Sequence, residues 1–167
     1  MPPATKTPAA STVKEQVYQV FPNDLNQNGT VFGGLIMAHM DRLCGVVAAR
    51  HAESVVVTVS VDAVHFMLPA RRGDVLVMHA TMNRAWRTSM EVGCRVEAES
   101  PFTSERRHVL SAYLTFVATD ADGRPRLVPL LTPETPDEKR RFAEADLRRQ
   151  NRLRTAEELK ALAEHTH

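Results

Sequence analysis

The chain has 167 residues, which suits one domain and leaves little room for a second. Its 21 Lys and Arg residues nearly balance its 20 Asp and Glu residues, giving a net charge of +1. This balance gives no reason to expect nucleic acid or an anionic membrane as a partner, so an anionic ligand would need a local basic patch.

The N-terminal segment, residues 1–11, is rich in Pro, Ala, Ser and Thr and is predicted to form a flexible arm. It lacks the apolar core of a secretory signal, and no apolar run in the chain is long enough to span a bilayer. A cytoplasmic location is therefore expected. Alternation of apolar and polar residues over 13–21 then predicts a first strand, followed by a loop of Asn, Asp and Gly over 22–30.

Residues 31–52 contain no proline and are rich in Ala, Leu and Met, which predicts a helix. Apolar residues lie all round this helix, so it is expected to be buried. Cys44 within it, and Cys94 farther along, could pair, but buried free thiols in a reducing cytosol are the simpler interpretation.

Four further segments have the β-branched, alternating character of strands: residues 54–66, 74–86, 88–98 and 107–119. One buried helix followed by antiparallel strands predicts an α+β domain, with a curved sheet wrapped around a long central helix. Residues 131–167 are highly charged, and Thr135-Pro136-Asp137-Glu138 is typical of a helix start, so one or two exposed tail helices are expected there.

Gly33 and Gly34, at the start of the predicted helix, are the first candidate for chemistry. The leading amides of a helix have no partner within it, and glycine lets a ligand approach them, so this position could stabilise an oxyanion. A lone Gly-Gly is a weak signal, however, and on spacing alone close packing of helix on sheet is the better interpretation.

Asp41 is the second candidate. A carboxylate on an apolar helix is costly unless it is paired, and burial would make it a stronger base or nucleophile. A salt bridge to a nearby arginine, or a place at an oligomer interface, is the structural alternative. Gly34 and Asp41 are separated by about 10 Å along a helix. If both act on one carbonyl group, they must come from adjacent subunits of an obligate dimer.

Spaced motifs over residues 12–130 resemble the acyl-CoA hydrolases of the hotdog superfamily, in particular the YciA-type bacterial enzymes and the cytosolic long-chain acyl-CoA hydrolases. The resemblance covers this hotdog thioesterase domain and not the tail. Its motifs are Asn26-Gln27-Asn28-Gly29-Thr30-Val31-Phe32-Gly33-Gly34, Met40-Asp41, Val57-Thr58-Val59-Ser60-Val61-Asp62, Gly73-Asp74 and Arg87-Thr88-Ser89-Met90.

The resemblance implies hydrolysis of acyl-CoA to free CoA and a carboxylic acid, with Asp41 as base or nucleophile. Gly33 and Gly34 match the backbone oxyanion site, and Asn26 and Asn28 are both candidates for the polar side chain of the facing loop. Relatives contact the CoA phosphates or the pantetheine arm at the turn that here contains Arg84, Trp86, Arg87, Thr88 and Ser89. The resemblance also implies a homo-oligomer with a shared active site, a dimer that can assemble further into a hexamer as a trimer of dimers.

Trp86 departs from the family pattern, because relatives usually have glycine there; it could stack on adenine or narrow the CoA entrance. CoA enters only as part of substrate and product, and no cofactor or metal is expected, since the histidines lack metal-ligand spacing. Rival interpretations are a non-catalytic acyl-CoA-binding or sensing module, a hotdog dehydratase and a structural scaffold. The Asp-and-His loop of the dehydratases is not found, and no sequence feature favours a scaffold.

Overall fold

The computed structural model describes residues 4–164, which form a five-stranded antiparallel sheet, a central helix and a C-terminal helix. In chain order the elements are β1 (Thr5–Lys6), a 3-10 helix (Pro8–Ala10), β2 (Val13–Gln19), a 3-10 helix (Pro22–Asp24), α1 (Gly33–Ala52), β3 (Val55–Val61), β4 (Val75–Ala85), β5 (Ser89–Glu99), β6 (Arg106–Thr119), β7 (Leu130–Leu131) and α2 (Pro136–Glu164).

The main sheet has the strand order β2-β4-β5-β6-β3, and all its pairs are antiparallel. Because β3 pairs only with β6, β3 is an edge strand. The inner face of the sheet packs against α1, with the large buried side chains of Leu76, Met90, Leu114 and Phe116 in the core. The predicted α+β class and the sheet around a central helix are therefore confirmed.

The expected burial of α1 on all sides is wrong for this chain alone. Ile36, Met40 and Val47 are buried against the sheet, whereas Met37 and Val46 are 39% and 44% exposed. At 3.6 residues per turn these two side chains lie about half a turn apart, on opposite flanks of the buried side of α1. The helix is apolar all round, but its own chain buries only one side.

The flexible arm expected over residues 1–11 is not what the structure shows for residues 4–11. Thr5 and Lys6 pair in parallel with Leu130 and Leu131, and the Lys6 ammonium donates to the Arg50 and His51 carbonyls at 3.0 and 2.9 Å. Lys6 therefore caps the C-terminus of α1, where a cation is favoured. These partners lie 44 or more positions away, so local composition gave no sign of them.

The predicted start of the tail helix is confirmed. The Glu138 amide donates to Thr135 Oγ1 at 3.2 Å, and Glu138 Oε2 accepts from the amides of Thr135 and Glu134. These backbone hydrogen bonds hold the pKa of Glu138 below its ordinary value. The tail forms a single helix, and its first half is docked on the outer face of the sheet rather than exposed, with Ala145 fully buried. Neither helix in the described part of the chain is long and apolar enough to cross a membrane.

Candidate active site

Asp41 lies on the side of α1 that faces the edge strand β3. Its Oδ1 accepts a hydrogen bond of 2.7 Å from Thr58 Oγ1, and its side chain is half-buried. It forms no ion pair with any of residues 4–164, so the salt bridge considered as an alternative is absent from this part of the chain. A carboxylate held by a neutral hydroxyl keeps lone pairs free to take a proton or attack an electrophile.

Thr58 is a site residue that the sequence analysis did not single out. It occupies the core-facing side of β3, in register with the buried Phe116 of β6. The sequence signal for the contact between Thr58 and Asp41 was a hydroxyl on the inner side of a valine-rich strand, together with an acid on α1. Sequence alone does not show which turn of a helix lies over which strand residue.

Gly33 and Gly34 form the first turn of α1. The amides of Leu35 and Ile36 donate to the Phe32 carbonyl at 3.0 and 3.4 Å, which leaves the two glycine amides without a backbone acceptor among residues 4–164. A Cβ atom on Gly33 would lie 3.1 Å from the Phe66 ring, and one on Gly34 would clash with the Phe32 ring. A side chain at either position would therefore require an aromatic ring to move, and two donors without a partner among residues 4–164 lie at the positive end of the helix dipole.

The loop before α1 is organised by Asn26. Its Oδ1 accepts from the amides of Asn28 and Thr30 at 2.9 and 3.3 Å, and its Nδ2 donates to Thr30 Oγ1 at 2.9 Å. Gly29 has φ of 72°, which this turn requires and glycine tolerates. The Asn28 side chain is exposed and makes no hydrogen bond to the described residues, so of the two amides only Asn26 is held in a fixed orientation by them.

Within one chain the structure does not bring the Asp41 carboxylate and the glycine amides of α1 together. Gly34 and Asp41 are seven positions apart on the same straight helix, about 10 Å at ~1.5 Å per residue. A cavity of about 1000 Å³ lies elsewhere, between the outer face of the sheet and the first half of α2. A single protomer therefore presents two parts of a site without an enclosed pocket between them.

The predicted phosphate-contacting residues are partly engaged within the chain. Arg84 forms a 2.9 Å ion pair with Asp146 of α2, and its guanidinium lies 3.6 Å from the centroid of the Phe142 ring. The Trp86 indole N–H donates to the same Asp146 at 2.9 Å. Neither side chain is thus free for a ligand while α2 is docked. The sequence did not predict this engagement, because Asp146 lies 60 or more positions away and no local motif reveals it.

Arg87, Thr88 and Ser89 complete this turn. The backbone of Thr88 and Ser89 is hydrogen-bonded to Ala118 and Trp86, which fixes the turn, while the Arg87 side chain is exposed and without a partner among residues 4–164. Arg87 is therefore the available cation of the predicted set.

His39, two positions before Asp41, does not form a dyad with it. Its ring contacts Tyr18 of β2 at a centroid distance of 4.1 Å, on the other side of α1 from β3. Burial lowers the pKa of His39, and the nearby Arg42 lowers it further. Among the described residues, no group of three or more His, Cys, Asp or Glu side chains is arranged to hold a metal ion.

Comparison with known proteins links this geometry to one family. A family model described as the thioesterase superfamily matches residues 28–103. Acyl-coenzyme A thioesterase 11 of Mus musculus is 38% identical over 147 residues, which cover 87% of this chain and 25% of the mouse protein. The cytosolic acyl coenzyme A thioester hydrolase of the same species is 39% identical over 130 residues, 77% of this chain and 34% of that protein.

A bacterial relative matches along most of its length. The Bacillus subtilis protein YkhA, named an uncharacterized acyl-CoA thioester hydrolase, is 36% identical over 137 residues, which cover 80% of each chain. The chain thus spans between a quarter and about a third of the mouse relatives, but four-fifths of the bacterial one.

Solved structures agree in fold. An apo-hexameric acyl-CoA thioesterase aligns with a TM-score of 0.88 at 38% identity, covering 92% of this chain and 97% of its own. An acyl-CoA hydrolase of Staphylococcus aureus, solved with butyryl coenzyme A, coenzyme A and coenzyme A disulfide, aligns with a TM-score of 0.83 at 34% identity, covering 95% and 99%. The Staphylococcus aureus enzyme has also been solved with an aspartate, a threonine or an asparagine replaced by alanine.

Proposed function

The chain belongs to the acyl-CoA thioester hydrolases of the thioesterase superfamily, and we propose that it hydrolyses acyl-CoA to free CoA and a carboxylic acid. The observation that carries the proposal is the carboxylate of Asp41, held by Thr58 and without a cationic partner among the described residues, at the free edge of the sheet. A carboxylate without a cationic partner can accept a proton during hydrolysis, whereas a carboxylate paired with a cation is a weaker base.

Spacing supports the choice of residues. In the Staphylococcus aureus enzyme the replaced threonine lies 17 positions after the replaced aspartate, and the asparagine 15 positions before it. Thr58 and Asn26 stand at the same intervals from Asp41. This agreement favours Asn26 over Asn28 as the amide of the facing loop and adds Thr58 to the proposed site.

In the proposed mechanism a water oxygen attacks the thioester carbonyl carbon while Asp41 takes the proton of the water. The carbon–sulfur bond then breaks, and the proton passes from Asp41 to the leaving thiolate of CoA. Thr58 orients the carboxylate through its hydrogen bond. In the covalent alternative the Asp41 carboxylate attacks the carbonyl carbon and expels the CoA thiolate, and water then hydrolyses the resulting anhydride to release the carboxylic acid and regenerate Asp41. In both cases the Gly33 and Gly34 amides would stabilise the oxyanion.

We propose that the site is shared across a two-fold interface. The about 10 Å between Gly34 and Asp41 along α1 is too far for one carbonyl group, so a second subunit would supply the glycine amides and Asn26. Val57 and Val59 are exposed on the free edge of β3, and Met37 is exposed on α1 one turn before Asp41, which gives apolar side chains suited to this contact. Further assembly into a hexamer is supported by the hexameric relative.

For the nucleotide half of CoA, we propose Arg87, Thr88 and Ser89 as contacts, since the Arg87 guanidinium is free to bind phosphate oxygens. A cytoplasmic location agrees with the name of the cytosolic mouse relative and with the two free, buried cysteines.

A steady-state assay with a thiol reagent on an acyl-CoA chain-length panel tests the reaction. Asp41→Asn is expected to lower kcat by at least ~100-fold, because the general base is lost. Asp122→Asn, in an exposed turn, is the matched control and should retain full activity. A wild-type protein that binds acyl-CoA but releases no thiol would instead be a sensor, and an active Asp41→Asn variant would exclude the proposed base.

A further inference from the structure

A second pocket, of about 230 Å³, lies on the outer face of the sheet, between β3, β5, β6 and α2. Its polar lining includes Ser60, Ser89, Thr115, Arg149 and Arg152 beside the Trp86 ring. Ser60 is paired with Thr115 across β3 and β6, whereas Thr58 is paired with the core residue Phe116. This outer-face pocket is therefore on the opposite side of the sheet from Asp41.

One hydroxyl group of this pocket is buried and unsatisfied. Thr115 Oγ1 has no hydrogen-bond partner among residues 4–164. Ser60 and Ser89 are partly exposed, and their hydroxyls make no hydrogen bond to those residues. A buried hydroxyl without a partner is destabilising, so its retention in a pocket indicates a ligand or water that completes it.

Arg149 supplies an uncompensated positive charge. Its guanidinium lies 4.9 Å from the centroid of the Trp86 ring and forms no ion pair with any described residue. Asp146, one turn earlier on α2, is already bound by Arg84 and the Trp86 indole. Arg152, by contrast, is neutralised by Asp62 at 2.7 Å and by Glu91 at 3.2 Å. The pocket thus holds one free cation beside three hydroxyl donors.

We propose that the outer-face pocket binds a phosphate group, with Arg149 as its charged ligand and the Ser60, Ser89 and Thr115 hydroxyls as donors. Guanidinium and hydroxyl groups match phosphate oxygens in geometry and charge. The volume is below the ~300 Å³ of the smallest ordinary ligand sites, so a single phosphate group is held rather than a whole nucleotide. The phosphate comes either from the nucleotide half of the substrate, which rests on the proposed function, or from a free phosphate compound.

Kinetics of the full-length protein distinguish the two sources. The variants are Arg149→Gln and Thr115→Val, and Arg154→Gln, one turn farther along α2 and solvent-exposed, is the control for loss of charge. Each protein is assayed with the best acyl-CoA, its analogue without the 3′-phosphate, and the matching acyl-pantetheine. Binding of inorganic phosphate is measured separately by calorimetry.

If the substrate provides the phosphate, Arg149→Gln and Thr115→Val raise KM for acyl-CoA about tenfold, leave kcat unchanged and do not affect acyl-pantetheine. If a free phosphate compound is the ligand, every KM stays constant and the calorimetric affinity of the wild type for phosphate falls about tenfold in both variants. Unchanged KM values together with no phosphate binding would overturn the proposal. Equal changes in KM or in phosphate affinity in Arg149→Gln and Arg154→Gln would also overturn it. Failure of the wild type to cleave any thioester would contradict the proposed reaction, while calorimetry would still decide on phosphate binding.

Discussion

His51 is fully buried at the C-terminal end of α1, and only part of its hydrogen-bonding capacity is used. Its Nε2–H donates to the Pro129 carbonyl at 2.8 Å, whereas Nδ1 is buried without a partner among residues 4–164. Burial lowers the pKa of His51, an effect that the hydrogen bond to Pro129 only partly opposes and that the nearby Lys6 ammonium increases. The folded protein therefore favours the neutral ring.

Stability is expected to fall as the pH drops below about 6.5, the ordinary pKa of histidine. Below that value the unfolded chain binds a proton at His51 that the folded chain does not, so acid favours unfolding. Urea unfolding at pH 7.5, 6.5 and 5.5 measures this. In His51→Gln the loss of unfolding free energy between pH 7.5 and 5.5 should be smaller than in wild type. Equal losses in the two proteins would contradict the assignment of this effect to His51, since His39 remains in both.

At the scale of elements, α2 is fixed to the sheet by a buried charge. Glu91 of β5 has no exposed surface and is bound by Arg148 at 2.7 Å, by Arg152 at 3.2 Å and by Asn83 at 3.2 Å. Arg148 also lies 3.6 Å from the centroid of the Tyr113 ring. A buried carboxylate needs such partners, so α2 stabilises the sheet by neutralising Glu91.

Removal of both cationic partners should destabilise the fold strongly. Arg148→Ala combined with Arg152→Ala is expected to lower the free energy of unfolding by about 3 kcal/mol or more, because Glu91 is left as an unpaired buried charge. Arg140→Ala, which removes exposed ion pairs on the same helix, should have a much smaller effect, because solvent screens such pairs. Denaturant unfolding compares the two variants, and a double variant no less stable than Arg140→Ala would show that Glu91 does not need these arginines.

For the whole molecule, one protomer leaves apolar surface where a second would complete the proposed site. Val57 and Val59 on the free edge of β3 are 45% and 54% exposed, and Met37 on α1, one turn before Asp41, is 39% exposed. We expect copies of the chain to meet at these apolar side chains, beside the candidate carboxylate.

Val57→Lys, on the free edge of β3, is expected to prevent assembly and to lower activity by at least ~100-fold at the same time, because each proposed site needs groups from two chains. Leu127→Lys, at an apolar position that is also exposed, is the matched control and should leave both properties unchanged. Light scattering after gel filtration, with the thiol assay on the same fractions, measures the assembly state and the activity together. A monomeric Val57→Lys protein with full turnover would rule out a shared site.

Local pattern was enough to predict most of the elements. The helix predicted over residues 31–52 is α1, Gly33–Ala52, and the capping residues Thr135 and Glu138 mark the true start of α2. The strand predicted over residues 54–66 ends early, at Val61, because β3 is an edge strand and its ladder with β6 stops there. Periodicity and capping act over a few residues, so the sequence by itself determines such features.

Only the tertiary structure decided which distant side chains meet. The bond from Thr58 to Asp41 depends on how α1 lies across β3, and the engagement of Arg84 and Trp86 depends on a helix that begins 50 positions later. Lys6 was assigned to a flexible arm because its partners, the last carbonyls of α1, are remote in the chain. Residue type and spacing determine the chemistry that a side chain can perform, but its actual partner is selected when strands pair and helices pack, which buries and orients groups that no local window contains.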